Sequence, residues 1–192
     1  MAWNTEATRL NLLEAASDEF AKRGFSGARI SEISRASGCN RERIYHYFGD
    51  KSGLFTAALL HRLVEALDIV PVAGVGPESI AEFAGRYFDY SHENPSLARL
   101  TLWEGLELGE PVGKNERIRR SARKISELHN ALPLAQISEI EDLLLTIVSL
   151  CNASVSTSNI ETVIIGEPEL SRKRASITRT SWLLAHGLSH QV

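Results

Sequence analysis

The chain has 192 residues, of which 43% are hydrophobic and 23% charged. That length and composition suit one large domain or two small ones with a real core, and exclude wholesale disorder. The 21 Lys and Arg against 24 Asp and Glu leave a net charge of −3, so a nucleic-acid binder of this composition needs a local basic face. Two cysteines, Cys39 and Cys151, are too few for a disulfide framework or a structural zinc site, and they point to a reducing, cytoplasmic setting. Residues 1–6 carry neither the basic nor the apolar region of a signal peptide, and no run of about 18 apolar residues occurs. Neither secretion nor a membrane is expected.

Helical periodicity runs through nearly the whole chain. Leu10, Leu13, Ser17 and Phe20 form the first stripe, with Asn4 as its cap and Gly24 as its end. Ile30, Ile33 and Ala36 mark a short second helix stopped by Gly38. Asn40 suits the N-cap of a third, which carries Ile44, Tyr47 and Phe48. Asp50 caps a fourth, with Leu54, Phe55, Ala58, Leu59 and Leu63 on its buried face. The Pro71–Pro77 stretch breaks the pattern.

Beyond it, Ile80, Phe83, Ala84, Tyr87 and Phe88 make an amphipathic stripe that ends at Asn94-Pro95. Leu97, Leu100, Trp103 and Leu106 should face inward on the next helix. Ile118, Ala122, Ile125 and Leu128 mark another, ending near Pro133. Its Lys114, Arg117, Arg119, Arg120, Arg123 and Lys124 read as a solvated face, because Glu116 and Glu127 stand four residues from Arg120 and Arg123. Ser138 and Glu141 fit a capping box before a helix of about 137–158 that is apolar on more than one face. A last helix starts near Pro168 and carries Leu170, Ile177, Leu184 and Leu188. The β-branched run Thr162–Ile165 is too short to build a sheet. The fold class is therefore all-α.

Residues 29–48, RISEISRASGCNRERIYHYF, have the form of a helix-turn-helix. Ala36 is small where the helices would cross, Gly38 tolerates the left-handed turn, Cys39 plugs the space beneath it, and Ile44 anchors the second helix. The free face then presents Asn40, Arg41, Arg43, Tyr45 and His46. Arginine binds guanine bidentately or clamps phosphate, and tyrosine donates to phosphate. Lys51 and Arg29 stand at helix starts, where an anion is also favoured. Charge placement agrees in sign: residues 1–60 hold 8 basic and 7 acidic side chains, and the remainder 13 and 17.

The stretch from Thr8 to Leu59 resembles the DNA-binding domain of TetR-family transcriptional repressors. The resemblance is carried by Leu12–Ala16, Phe20–Phe25, Ile30–Ile33, Ala36–Gly38, Ile44–Phe48 and Lys51–Phe55, in the family's order. Three positions depart from it. Ala28 stands where the family often has Thr, Glu42 where it often has a small residue, and Arg43 where it often has Ser or Thr. These bear on which operator is read, not on the mode of binding.

The resemblance implies a DNA-binding domain over residues 1–60 and a helical effector-binding and dimerisation domain over 61–192. It implies a homodimer on a palindromic operator, most simply a repressor released by a small-molecule effector. An effector-independent or activating regulator, or a ligand-binding module without DNA binding, is the alternative. Two recognition helices would reach successive major grooves about 34 Å apart. The last two long helices, with small Ser149, Ala153, Ser154 and Ser156 and the seven-residue spacing of Leu170, Ile177 and Leu184, suit a four-helix interface. Effector candidates by type and helical position are Tyr87, Tyr90, Trp103, Glu107, His129 and Asn152. No cofactor and no metal is expected: His186 and His190 lack a third ligand, and Gly74 and Gly76 lack the rest of a phosphate loop. No nucleophile motif points to an enzyme, and Cys151 lies in an apolar run that should raise its pKa.

Overall fold

The structure, a computed structural model, describes residues 5–167 and 169–189. Asn4, Pro168 and His190 lie outside these residues, as does the side chain of Ser154. The described residues form ten α-helices and no strand, so the fold is all-α as the periodicity predicts. In chain order they are α1 (Thr5–Gly27), α2 (Ile30–Ser37), α3 (Arg41–Phe48), α4 (Lys51–Ile69), α5 (Pro77–Glu93), α6 (Pro95–Glu107), α7 (Lys114–Ala131), α8 (Ile137–Ser156), α9 (Ser158–Ile165) and α10 (Leu170–Ser189). No single helix among the described residues is long and apolar enough to cross a membrane.

The chain packs as two compact units. The first comprises Met1–Glu65 with Ser96–Arg117, and the second Ala66–Pro95 with Ile118–Val192. The first unit is thus discontinuous in sequence, where the reading above sets one boundary after residue 60. The reason is visible in α6, whose polar side chains complete the end of α1. The Trp103 indole N–H donates to the Ala21 carbonyl at 3.3 Å, and the Glu107 carboxylate accepts from the Ser26 N–H at 2.7 Å. Gly24 makes this approach feasible. It breaks α1 at φ 73°, ψ 177°, a conformation open only to glycine, and a Cβ there would lie 2.5 Å from Glu107 Oε1 and 2.9 Å from Trp103.

Leu12, Leu13, Ala16 and Phe20 of α1 are buried with Ile33, Ile44 and the Leu54, Phe55, Ala58 and Leu59 face of α4. Phe55 meets Phe20 and Phe25 edge-on, at 5.1 and 5.5 Å between ring centroids. Glu14 holds both His61, at 3.0 Å, and Arg62, tying α1 to α4. In the second unit α5 buries the five residues of its predicted stripe and packs against α8 and α10. Ile140, Leu143, Leu144, Ile147 and Cys151 form the buried face of α8.

Several details differ from the sequence reading. Leu10, Ala36, Leu106 and Ile118 are exposed rather than inward. On α6 the buried member of the last turn is Glu104, whose carboxylate accepts from Arg117 at 2.7 and 2.8 Å and from the Val112 N–H at 2.7 Å. The α8 cap is Gln136, two residues before Ser138: its N–H donates to Glu139 Oε2 at 2.8 Å. Lys124 is not solvated but 2% exposed, donating to the Val70 carbonyl (2.8 Å) and to Glu127 (2.5 Å). The long apolar run also divides. Thr157 ends α8, and the β-branched segment forms the separate helix α9. On α10 the seven-residue series marks an outward flank, with Leu170 and Leu184 exposed, while the residues buried are the small Ser181 and Ala185.

Candidate nucleic-acid interface

The helix-turn-helix is built by short-range chemistry. Gly38 caps α2 in the left-handed region (φ 67°, ψ 12°), which turns the chain within three residues. Two serines stitch the turn. Ser34 Oγ donates to the Cys39 carbonyl at 2.6 Å, and Ser37 Oγ donates to the Ile33 carbonyl at 2.7 Å and accepts from the Cys39 N–H at 3.3 Å. These serines were not singled out from the sequence, although hydroxyls flanking a turn glycine are a readable signal. Cys39 is buried beneath the turn, as its compact apolar side chain suggests. Ala36 is not the close-crossing residue; Ile33 and Ile44 fill that contact.

Asn40 opens α3 as predicted. Its Oδ1 accepts from the Arg43 N–H at 2.9 Å, so its side-chain carbonyl is spent on the cap, and the residue is exposed. Asp50 likewise caps α4, accepting from the Gly53 N–H at 2.7 Å. With Ile44 fully buried, the rest of α3 is fixed in direction. Arg41, Glu42, Tyr45 and His46 are exposed and Arg43 is half-buried. Arg29, at the α2 cap position, is exposed, and its backbone N–H donates to Glu19 at 3.1 Å. Lys51 is half-buried: its ammonium donates to the Ser26 carbonyl at 3.2 Å and lies 5.2 Å from the centre of the Phe25 ring. Arg9, absent from the sequence reading, brings another cation to this side, 5.8 Å from the Phe48 ring centre. All seven expected DNA-contacting residues, Arg29, Asn40, Arg41, Arg43, Tyr45, His46 and Lys51, thus belong to one compact unit.

Local acids are largely neutralised. Glu32 pairs with Arg35 at 2.5 Å, and that hydrogen bond holds its carboxyl below the ordinary range. Glu19 pairs with Arg23 at 3.2 Å. What remains outward is a strip of cations with one phenol, one imidazole and the carboxylate of Glu42. Such a strip is suited to a polyanion with readable base edges.

The six effector candidates do not share a setting. Trp103 and Glu107 belong to the first unit, where their polar atoms hold the end of α1. Tyr87, Tyr90, His129 and Asn152 belong to the second. Tyr87 is buried, and burial pushes its phenol well above the ordinary range, followed by the influence of Cys151 and Tyr90. Burial likewise pushes the Cys151 thiol up to about 12, with its Sγ 3.7 Å from the Ala84 carbonyl. Asn152 Oδ1 is buried with no hydrogen-bond partner among the described residues, which is costly for an amide oxygen unless a ligand or water supplies a donor. A separate cleft of about 430 Å³ lies between α8, α9 and α10, lined by Leu150, Ala153, Ile160, Ile164, Lys173 and Ile177. Of the two histidines set aside above as a metal pair, His186 stacks on Trp182 at 4.6 Å, and His190 lies outside the described residues.

Comparison with known proteins gives a consistent result. Residues 12–58 match the family model described as "Bacterial regulatory proteins, tetR family", and residues 79–181 match "Tetracyclin repressor-like, C-terminal domain". The chain is 33% identical over 170 residues to the HTH-type transcriptional repressor SCO4008 of Streptomyces coelicolor, covering 86% of this chain and 87% of that one. It is 33% identical over 124 residues to the HTH-type transcriptional repressor NicS of Pseudomonas putida, covering 62% and 58%. In fold it is similar to the putative transcriptional regulator SCO4942 of Streptomyces coelicolor, with TM-score 0.72, 24% identity, and 91% and 96% of the two chains covered.

Proposed function

Because the chain belongs to the TetR family and is a DNA-binding transcriptional regulator rather than an enzyme, we propose that it acts as a homodimeric repressor whose two α3 helices read a palindromic operator. The observation that carries this is the exposed strip on α3, held rigid by the Asn40 cap on one side and buried Ile44 on the other. Arg41, Arg43, Tyr45 and His46 are its groove-facing groups, while Arg29, the Asn40 amide and Lys51 hold the phosphates. The functional division is residues 1–60 for DNA and 61–192 for pairing and effector binding, with α6 lent to the first unit. A bacterial regulator of this kind works in the cytoplasm.

One helix-turn-helix has a small contact area, so pairing is what supplies affinity and spacing. The second unit carries the surface for it. Leu145 on α8 is 65% exposed, and the adjacent pair Leu183 and Leu184 on α10 is exposed as well. Aliphatic groups at this density on two neighbouring helices suit a four-helix junction with a second copy. A small molecule that prefers the DNA-incompetent dimer would then release the operator. Tyr87, Tyr90, His129 and the unpartnered Asn152 oxygen are the groups proposed to meet it.

The test is selection from random duplex DNA with the purified protein at two salt concentrations, with sedimentation of the same preparation. A palindromic product and a dimer support the reading. A monomer that enriches no sequence and shows no salt-sensitive binding would sink it.

A further inference from the structure

The position of each α3 residue follows from the helix geometry and one buried anchor. Ile44 is fully buried, so it marks the direction of the core. At roughly 100° per residue, Glu42 and His46 stand about 160° and about 200° round the axis, directly opposite it. Arg41 and Tyr45 stand about 60° and about 100° to one side, and Arg43 about 100° to the other. The middle of the free face is therefore the Glu42–His46 pair, one turn apart and both exposed, and the cations flank it.

This order matters because a major groove is not uniform in charge. Its walls are phosphate and its floor is base edges. Cations flanking the free face lie nearer the walls, within reach of phosphates and of the neighbouring base edges. A carboxylate at its centre meets the floor, where it needs a donor. Two base edges supply one, cytosine N4 and adenine N6. Adenine sets its N7 acceptor beside N6, which repels the carboxylate, whereas cytosine sets only carbon beside N4. Glu42 is also not committed elsewhere. Of the two carboxylates between residues 29 and 48, Glu32 is held by Arg35, and the helix cap is Asn40. No hydrogen bond or ion pair among the described residues engages Glu42.

We propose that Glu42 is a specificity-determining residue that accepts a hydrogen bond from the N4 amine of a cytosine in each operator half-site. The inference rests on the groove-reading role proposed above for α3, and it goes beyond that role by naming the reader and the base. The binding is non-covalent, and exchange of cytosine at that one position leaves the carboxylate against a thymine or guanine acceptor, or beside adenine N7.

The test compares the selected operators of the wild type, Glu42→Ala and Glu42→Gln at one salt concentration. The wild type should show cytosine at one symmetry-related position, favoured about fivefold or more over the other bases, the lower end of the discrimination of about 1–3 kcal/mol given by a bidentate base contact. Glu42→Ala should lose preference at that position alone and bind all sequences at least as tightly, because a negative charge has gone. Glu42→Gln should move the preference toward adenine, which offers an amide both a donor and an acceptor. If all three proteins select the same operator, and Glu42→Ala differs only in uniformly tighter binding, the carboxylate is a repelling or helix-end charge and the proposal fails while the wider reading stands. If the wild type selects no sequence at all, both fail. Because Glu42 is exposed, the variants keep the fold, which circular dichroism checks.

Discussion

The Glu107 carboxylate, on α6, accepts the backbone N–H of Ser26 at 2.7 Å across 81 residues of sequence. Helix α1 breaks at Gly24, three residues after the Ala21 carbonyl that the Trp103 indole engages. Two side chains of α6 therefore serve backbone groups that a broken helix end leaves unpaired. Because the Gly24 backbone and the α6 side chains occupy adjoining space, Gly24→Ala should cost more than Gly38→Ala. Both glycines have positive φ, but a Cβ at Gly38 meets nothing within 4 Å. We expect about 1 kcal/mol for Gly38→Ala and about 2–3 kcal/mol for Gly24→Ala, read from denaturant midpoints. Equal losses would mean that the contact with α6 contributes little.

Arg43→Ala and Lys51→Ala should separate reading from anchoring. Loss of a base-reading arginine relaxes preference at one position by about 1–3 kcal/mol. Loss of Lys51 should weaken all sequences alike and reduce the salt slope by about 1. The Lys51 ammonium already donates to the Ser26 carbonyl, so Lys51→Ala should also lower stability. Uniform weakening by Arg43→Ala across the operator series would place it on the backbone instead.

Leu145→Glu should convert the proposed dimer to a monomer at micromolar concentration without loss of helicity. The residue is 65% exposed within one copy, so a charge there costs the monomer fold little. Buried across a junction, the same charge is costly. Sedimentation equilibrium and far-ultraviolet dichroism of one sample check both halves. A variant that remains dimeric would remove this face of α8 from the interface.

Alkali should unfold the second unit early. The Cys151 thiol is raised from 9.0 to about 12 by burial, and the Tyr87 phenol is raised from 10.0 by the same cause. Both groups are acids kept neutral in the fold, so between their unfolded and folded values the native state binds more protons than the unfolded state. Stability from this source is intact below about pH 9 and declines as pH rises toward 12. Cys151→Ala should flatten that decline, measured as melting temperature against pH. An identical slope in the variant would assign it to other groups. At pH 8 the same burial predicts slow reaction of Cys151 with a thiol reagent in native protein and fast reaction in denaturant.

Much of this molecule is legible in the sequence, for reasons that differ by element. The α5 stripe reads correctly because its apolar residues are the residues it buries. The Asn40 and Asp50 caps and the Gly38 turn read correctly because their chemistry is local. Burial that depends on distant partners does not read. Leu106 looks inward by spacing, but it is Glu104 that turns in, because Arg117 and the Val112 N–H satisfy it there. Lys124 looks like surface, yet the Val70 carbonyl and Glu127 make its burial tolerable. On α10 the large residues lie outward and small Ser181 and Ala185 lie in, since close packing against α5 favours small side chains there. The seven residues expected at DNA fall in one unit, and Arg9 and the two turn serines are additions that the sequence reading does not contain. Residue type and helical position group the six effector candidates, where the structure divides them between the two units.

The first unit draws on two stretches of chain, Met1–Glu65 and Ser96–Arg117. This has a practical consequence for protein engineering. A chimera that grafts the reading head onto another regulator by a single cut near residue 65 would leave Trp103 and Glu107 behind, and with them the hydrogen bonds at Ala21 and Ser26. Transplanting the head intact requires two junctions, so that α6 travels with it.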